Sequence, residues 1–211
     1  MKNNFFFKDQ LSNIYKKSSK FSEVTSQILY GEKFKILSRN KDWIKIKTSF
    51  DNYIGYIKNR KYTNIHKPSH KVSSLKAIIF KKPNIKTKYF LPFASKISII
   101  QESKRFIEYD KNRWIKKKDI KKINHLEKDY SKILRLFLKT KYLWGGKTYK
   151  GIDCSAILQL FFYYNDRFYP RDTKDQIKHS KKDSIKKILK KGDVIFWKGH
   201  VAICINSKEL I

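Results

Sequence analysis

Residues 142 to 160 read Tyr-Leu-Trp-Gly-Gly-Lys-Thr-Tyr-Lys-Gly-Ile-Asp-Cys-Ser-Ala-Ile-Leu-Gln-Leu. A glycine pair and a short polar loop run into Asp153, Cys154 and Ser155. From there Ile157, Leu160, Phe161 and Tyr164 fall at helical spacing. The pattern predicts a helix with Cys154 at or next to its N-terminus, where unpaired backbone N–H groups and the positive end of the helix dipole favour a thiolate. Asp153 suits the capping position, where a short carboxylate accepts from first-turn amides. A nucleophilic thiol needs a base. The chain offers one 46 residues later, in Lys-Gly-Asp-Val-Ile-Phe-Trp-Lys-Gly-His-Val-Ala-Ile, residues 191–203. The flanks of His200 read as β-strands, so a helix-borne Cys154 is expected to face a strand-borne His200. His66, His70, His125 and His179 have no such context. Cys204 shares strand parity with His200 but lies about 13 Å along the strand, and is expected in the core, outside the chemistry.

Working outward, the 211 residues suit one to three small domains, and 40% hydrophobic content allows a core. The net charge of +32 suggests a polyanion or an anionic surface as partner. Only seven of the fifty basic residues are arginine, however, and the lysines run the whole length. A nucleic-acid binder concentrates its charge and uses Arg for bidentate contacts, so a general lysine bias is the simpler reading and no nucleic-acid partner is expected. Two cysteines make no disulfide framework. The apolar run Phe5-Phe6-Phe7 is too short for the core of a signal peptide, and no segment is long enough to span a membrane. A cytoplasmic location is therefore expected. The oligomeric state is not legible.

Residues 11 to 67 alternate short apolar strands with polar turns. Asn13–Tyr15, Gln27–Tyr30, Phe34–Leu37, Trp43–Ile46 and Tyr53–Ile57 predict five strands of a small β-barrel. Residues 74 to 120 repeat the plan in degraded form: Ile79-Phe80-Lys81-Lys82 echoes Ile14-Tyr15-Lys16-Lys17 at a period of 65. From His125 the period changes, and Leu126, Tyr130, Ile133, Leu134 and Phe137 suit an amphipathic helix. Lys181 to Lys191 reads as a basic connector.

These motifs carry a resemblance. Tyr142-x-Trp144-Gly145-Gly146, Asp153-Cys154-Ser155 and Gly192-Asp193 followed by His200-Val201 together resemble the NlpC/P60 cysteine peptidases, papain-like enzymes that cut bacterial cell-wall peptides. Gly31-Glu32-Lys33-Phe34 and Gly55-Tyr56-Ile57 resemble a bacterial SH3 module. The implied class is α+β: an SH3-like β-barrel over 1–67, a second divergent one over 68–124, and a papain-like catalytic domain over 125–211. The resemblance implies an endopeptidase acting on the γ-D-glutamyl–diamino acid bond of murein peptides with a free N-terminal L-Ala, without metal or cofactor. It implies that Cys154 is the nucleophile and His200 the base. Tyr142 becomes a donor to the oxyanion, and Asp153 and Ser155 the grip on the alanine amine. Arg171 becomes a fork for the D-glutamate carboxylate, and Tyr53 a wall lent by the first module. The family's third catalytic group, a polar residue beyond the base, would fall past Ile211. The last strands of the papain-like sheet would lie there too, leaving Val201–Ile205 as an open edge; Asn206 and Glu209 are the nearby polar substitutes. The competing expectation is a binding protein whose basic SH3 modules hold an anionic polymer beside an impaired peptidase remnant.

Overall fold

Alternation builds the first half of the chain. In Trp43–Thr48, residues Ile44, Ile46 and Thr48 turn inward while Trp43, Lys45 and Lys47 face out, as a half-buried strand requires. The computed structural model describes residues 4–180 and 188–211. Residues 181–187 of the expected basic connector lie outside them. The chain divides into two compact units, Met1–His125 and Leu126–Ile211.

In the first unit, seven strands form one antiparallel sheet: β1 (Asn4–Phe7), β2 (Leu11–Tyr15), β3 (Val24–Leu29), β4 (Lys33–Asn40), β5 (Trp43–Thr48), β6 (Ile54–Lys58) and β7 (Tyr62–Thr63). Their order is β3-β2-β6-β5-β4-β1-β7, with no pairing between the end strands β3 and β7 among the described residues. The five expected strands are present, and the ladder is an open series where a closed barrel was expected. The run Phe5–Phe7, given no structural role by the sequence, is an inner strand between β4 and β7. Phe7, Ile14, Ile28, Phe34, Ile44, Ile46 and Ile57 form the core over this sheet.

The degraded repeat folds into a five-stranded sheet, order β10-β9-β14-β13-β12, and a three-stranded one, order β11-β8-β15. The strands are β8 (His70–Val72), β9 (Lys76–Lys82), β10 (Ile85–Pro92), β11 (Lys96–Ile97), β12 (Gln101–Glu102), β13 (Phe106–Asp110), β14 (Arg113–Lys116) and β15 (Ile120–Lys122). Tyr30, in the turn just after β3, is buried within the core of this second part beside Tyr109, ring centroids 5.3 Å apart. Its hydroxyl bonds to Lys8 and to Asp110, and Lys8 also pairs with Asp110 at 3.6 Å. A tyrosine from one half thus completes the core of the other.

The second unit holds α1 (Tyr130–Leu136), a short ladder of β16 (Lys147–Thr148) and β17 (Gly151–Ile152), then α2 (Cys154–Tyr164), α3 (Thr173–His179), and a hairpin of β18 (Val194–Trp197) and β19 (His200–Ile203). The helix expected from His125 begins at Tyr130, where Asp129 caps it by accepting from the Ser131 amide at 3.1 Å. Helix α2 is buried on most of its circumference and packs on α1, β16 and β19. The edge expected to be open at Val201–Ile205 is partly covered: Ile203 exchanges backbone hydrogen bonds with Ile211 at 2.9 and 3.0 Å, and the Ile205 amide reaches the Glu209 carbonyl at 2.9 Å.

Candidate active site

The turn that presents Cys154 is set by its backbone. A side chain at Gly146 would place Cβ 2.5 Å from the Gly151 carbonyl oxygen, so only glycine lets these two backbone segments approach. The Asp153 amide donates to the Gly146 carbonyl at 3.3 Å, and the Leu143 amide to that of Ile152 at 3.1 Å. Asp153, extended at φ −99° and ψ 169°, then caps α2 by accepting from the Ala156 amide at 2.8 Å. Cys154 is therefore the first helical residue, as the spacing predicts, and is half-buried. Its amide has no acceptor among the described residues, as expected at a helix start.

Asp153 does more than cap. Oδ1 accepts from the Ala156 amide, from Ser155 Oγ at 3.2 Å and from Arg171 Nη1 at 3.0 Å. Oδ2 accepts from the Gly145 amide at 2.9 Å and from Arg171 Nη2 at 2.6 Å. Arg171 Nη1 also donates to Ser155 Oγ at 2.9 Å. Arg171 and Asp153 are 3% and 6% exposed. The sequence reading gave these two charges to opposite ends of a substrate. The structure pairs them with each other in a buried, bidentate bridge, so neither presents a free charged face.

Two glutamines hold Arg171 in reach, and the sequence reading gave them no role. Gln159 Nε2 donates to the Tyr169 carbonyl at 3.1 Å. Gln176, fully buried on α3, donates to the carbonyls of Ser155 and Pro170, both at 2.9 Å. Asp172 was also passed over. It stands at the cap position of α3 but makes no cap bond. Among the described residues nothing hydrogen-bonds its carboxylate. Burial pushes its carboxyl above the ordinary range, against the pull of Arg171 and Lys174. Asp172 and Gln176 follow Arg171 closely in the chain, so the signal was present without its meaning.

Tyr142 bridges in parallel to Ile152, one residue before the cap. Burial, then the Cys154 and Asp153 charges, raise its hydroxyl above the usual phenol range, which keeps it a donor. His200 opens β19, the strand on which α2 rests. Asn206 and Glu209 were the expected substitutes for a third group. They bond instead to each other, Asn206 Nδ2 to Glu209 Oε2 at 2.7 Å, and Asn206 Oδ1 accepts from the amides of Lys208 and Glu209. That is a local turn, not a support for His200. Cys204 is fully buried, its thiol pushed up by burial, with its carbonyl accepting from Tyr130 at 2.9 Å. Tyr53 belongs to the first unit, where its hydroxyl donates to the Thr25 carbonyl at 3.5 Å. Among the described residues no group of His, Cys, Asp and Glu is arranged to hold a metal ion, and no helix is long and apolar enough to cross a membrane.

Comparison with known proteins finds one family match within each unit. Residues 139–211 match the NlpC/P60 family, and residues 14–61 match the bacterial dipeptidyl-peptidase SH3 domain. The chain is 24% identical to dipeptidyl-peptidase 6 of Lysinibacillus sphaericus, over 93% of its own length and 82% of that protein. It is also 24% identical to the γ-D-glutamyl-L-lysine dipeptidyl-peptidase of Bacillus subtilis strain 168, over 89% of this chain and 71% of the relative. A crystal structure of an NlpC/P60 family protein from Bacillus cereus ATCC 10987 superposes with a TM-score of 0.80 at 18% identity, covering 99% of this chain and 93% of that one.

Proposed function

We propose, for a cysteine peptidase that carries an NlpC/P60 domain behind a bacterial SH3 domain, that it hydrolyses the γ-D-glutamyl–diamino acid bond of wall peptides bearing a free N-terminal L-Ala. Cys154 attacks the γ-carbonyl, and the developing oxyanion is met by the free Cys154 amide and the Tyr142 hydroxyl. The C–N bond breaks as His200 gives its proton to the leaving amine of the diamino acid, leaving a thioester on Cys154. Water then attacks the thioester while His200 takes a proton. The C–S bond breaks, and L-Ala-γ-D-Glu departs with a new carboxylate.

The observation that carries the amine specificity is Asp172. Asp153 has donors on both oxygens, so we assign it, with Ser155 and Arg171, to bracing the nucleophile loop. Asp172 is the half-buried carboxylate of the same cluster that still lacks a hydrogen-bond donor, and an ammonium suits it. Recycling of wall peptides in the cytoplasm belongs to this reading. Hydrolysis of L-Ala-γ-D-Glu-L-Lys against its N-acetyl form tests it. The free peptide is cleaved and the acetylated one is poorer by about 2–5 kcal/mol in kcat/KM; equal rates contradict the specificity.

One feature supports a second activity, the holding of an anionic polymer. A groove of about 740 Å³ on the first module is lined by Lys20, Lys41, Lys58 and Arg60 beside Phe21 and Trp43, and Phe21 is 87% exposed. Reversing Lys58 and Arg60 to Glu should weaken binding to polyphosphate more than reversing Lys86 and Lys88, exposed on β10. Equal loss would mark the groove as part of a general lysine surface.

A further inference from the structure

The hairpin that carries His200 is as short as a hairpin can be. Only Lys198 and Gly199 separate its strands, with Gly199 at φ 75° in the turn. This register sets Trp197, the last residue of β18, directly opposite His200, the first of β19. Opposed side chains at such a position lie within contact range. The rings do meet: their centroids are 4.9 Å apart with planes inclined at 48°. Among the described residues no side chain or carbonyl hydrogen-bonds either nitrogen of His200, and the indole is its ring contact. Trp197 is 47% exposed.

We infer that Trp197 is a positioning residue for His200, its ring holding the imidazole in the working orientation. The inference rests on the reading of His200 as the base. Packing against the neighbouring indole restricts the rotation of the imidazole. The indole adds an electrostatic preference. Its π-face attracts a cation, and of the aromatic side chains it does so most strongly. The indole can therefore stay packed against His200 while the imidazole carries the proton to the leaving amine. Trp197 touches no reacting atom in this account. It acts through His200, and so its loss should appear in turnover rather than in substrate binding.

The test compares Trp197→Ala, Trp197→Leu and Trp197→Phe in the full chain on L-Ala-γ-D-Glu-L-Lys, with His200→Ala alongside. Trp197→Ala and Trp197→Leu should lower kcat by about three- to thirtyfold, the span of a partly exposed cation–π contact, with KM within about twofold. Trp197→Phe should recover much of the loss, because it restores a ring face that Leu lacks. A Leu variant as active as the Phe variant would overturn the inference, since apolar bulk alone then suffices. An unchanged kcat with a raised KM would overturn it too, making Trp197 a substrate contact. If the Ala variant fails to fold, the Leu and Phe pair still decides. Activity surviving in His200→Ala would instead remove the base assignment itself, and an inactive His200→Ala with an unaltered Trp197→Ala would remove only this inference.

Discussion

Arg171 and Asp153, 18 residues apart in sequence, meet as a buried bidentate pair with Nη1–Oδ1 at 3.0 Å and Nη2–Oδ2 at 2.6 Å. The pair joins the loop after α2 to the residue that caps α2, and so fixes where Cys154 begins its helix. Removing one partner leaves a buried charge without its counter-ion, a loss of about 3–5 kcal/mol. Arg171→Ala should unfold at correspondingly lower denaturant. Arg171→Lys should fall between, because a lysine cannot supply the fork. Wild-type stability in Arg171→Ala would show that the bridge contributes nothing net.

Asp172 separates stability from activity. Burial holds its carboxyl above the ordinary range, so folding favours the protonated form. Its contribution to stability is present at pH below the unfolded carboxyl's range and is lost as pH rises through the folded value. Asp172→Asn should therefore melt no lower than wild type at neutral pH. The same variant should lose about 2–5 kcal/mol in kcat/KM on the free-amine peptide. It should also lose the acid limb that ionisation of Asp172 imposes. Unchanged kcat/KM with that limb intact would reassign the amine site.

Tyr142→Phe deletes one proposed oxyanion donor. By comparison with other such donors, kcat should fall by about 10²–10³, with little change in melting temperature because the ring is 58% exposed. A drop below threefold would leave the backbone amide as the main donor.

Much of this site was legible because it is local. Asp153 and Cys154 announce a helix start, and the Gly-Asp strand and His200-Val201 announce a hairpin; both form where the spacing puts them. What escaped depends on partners distant in sequence. Nothing near Arg171 says that its guanidinium turns inward to Asp153, nor that Gln176 crosses to the carbonyl of Ser155. Phe5–Phe7 hid for a different reason: buried between two strands, it lacks the alternation that marks a half-exposed one. Tyr30 gave no sign that it completes the core of the following repeat, because aromatic burial has no period of its own.

The central claim is that Cys154 carries the acyl group. Rapid quenching of turnover on L-Ala-γ-D-Glu-L-Lys, followed by mass spectrometry of the digested protein, tests it directly. The account predicts a dipeptidyl thioester on the peptide containing Cys154, none on that containing Cys204, whose thiol is buried, and neither adduct nor hydrolysis in Cys154→Ala. Hydrolysis that persists in Cys154→Ala, or an adduct on any other residue, would contradict it.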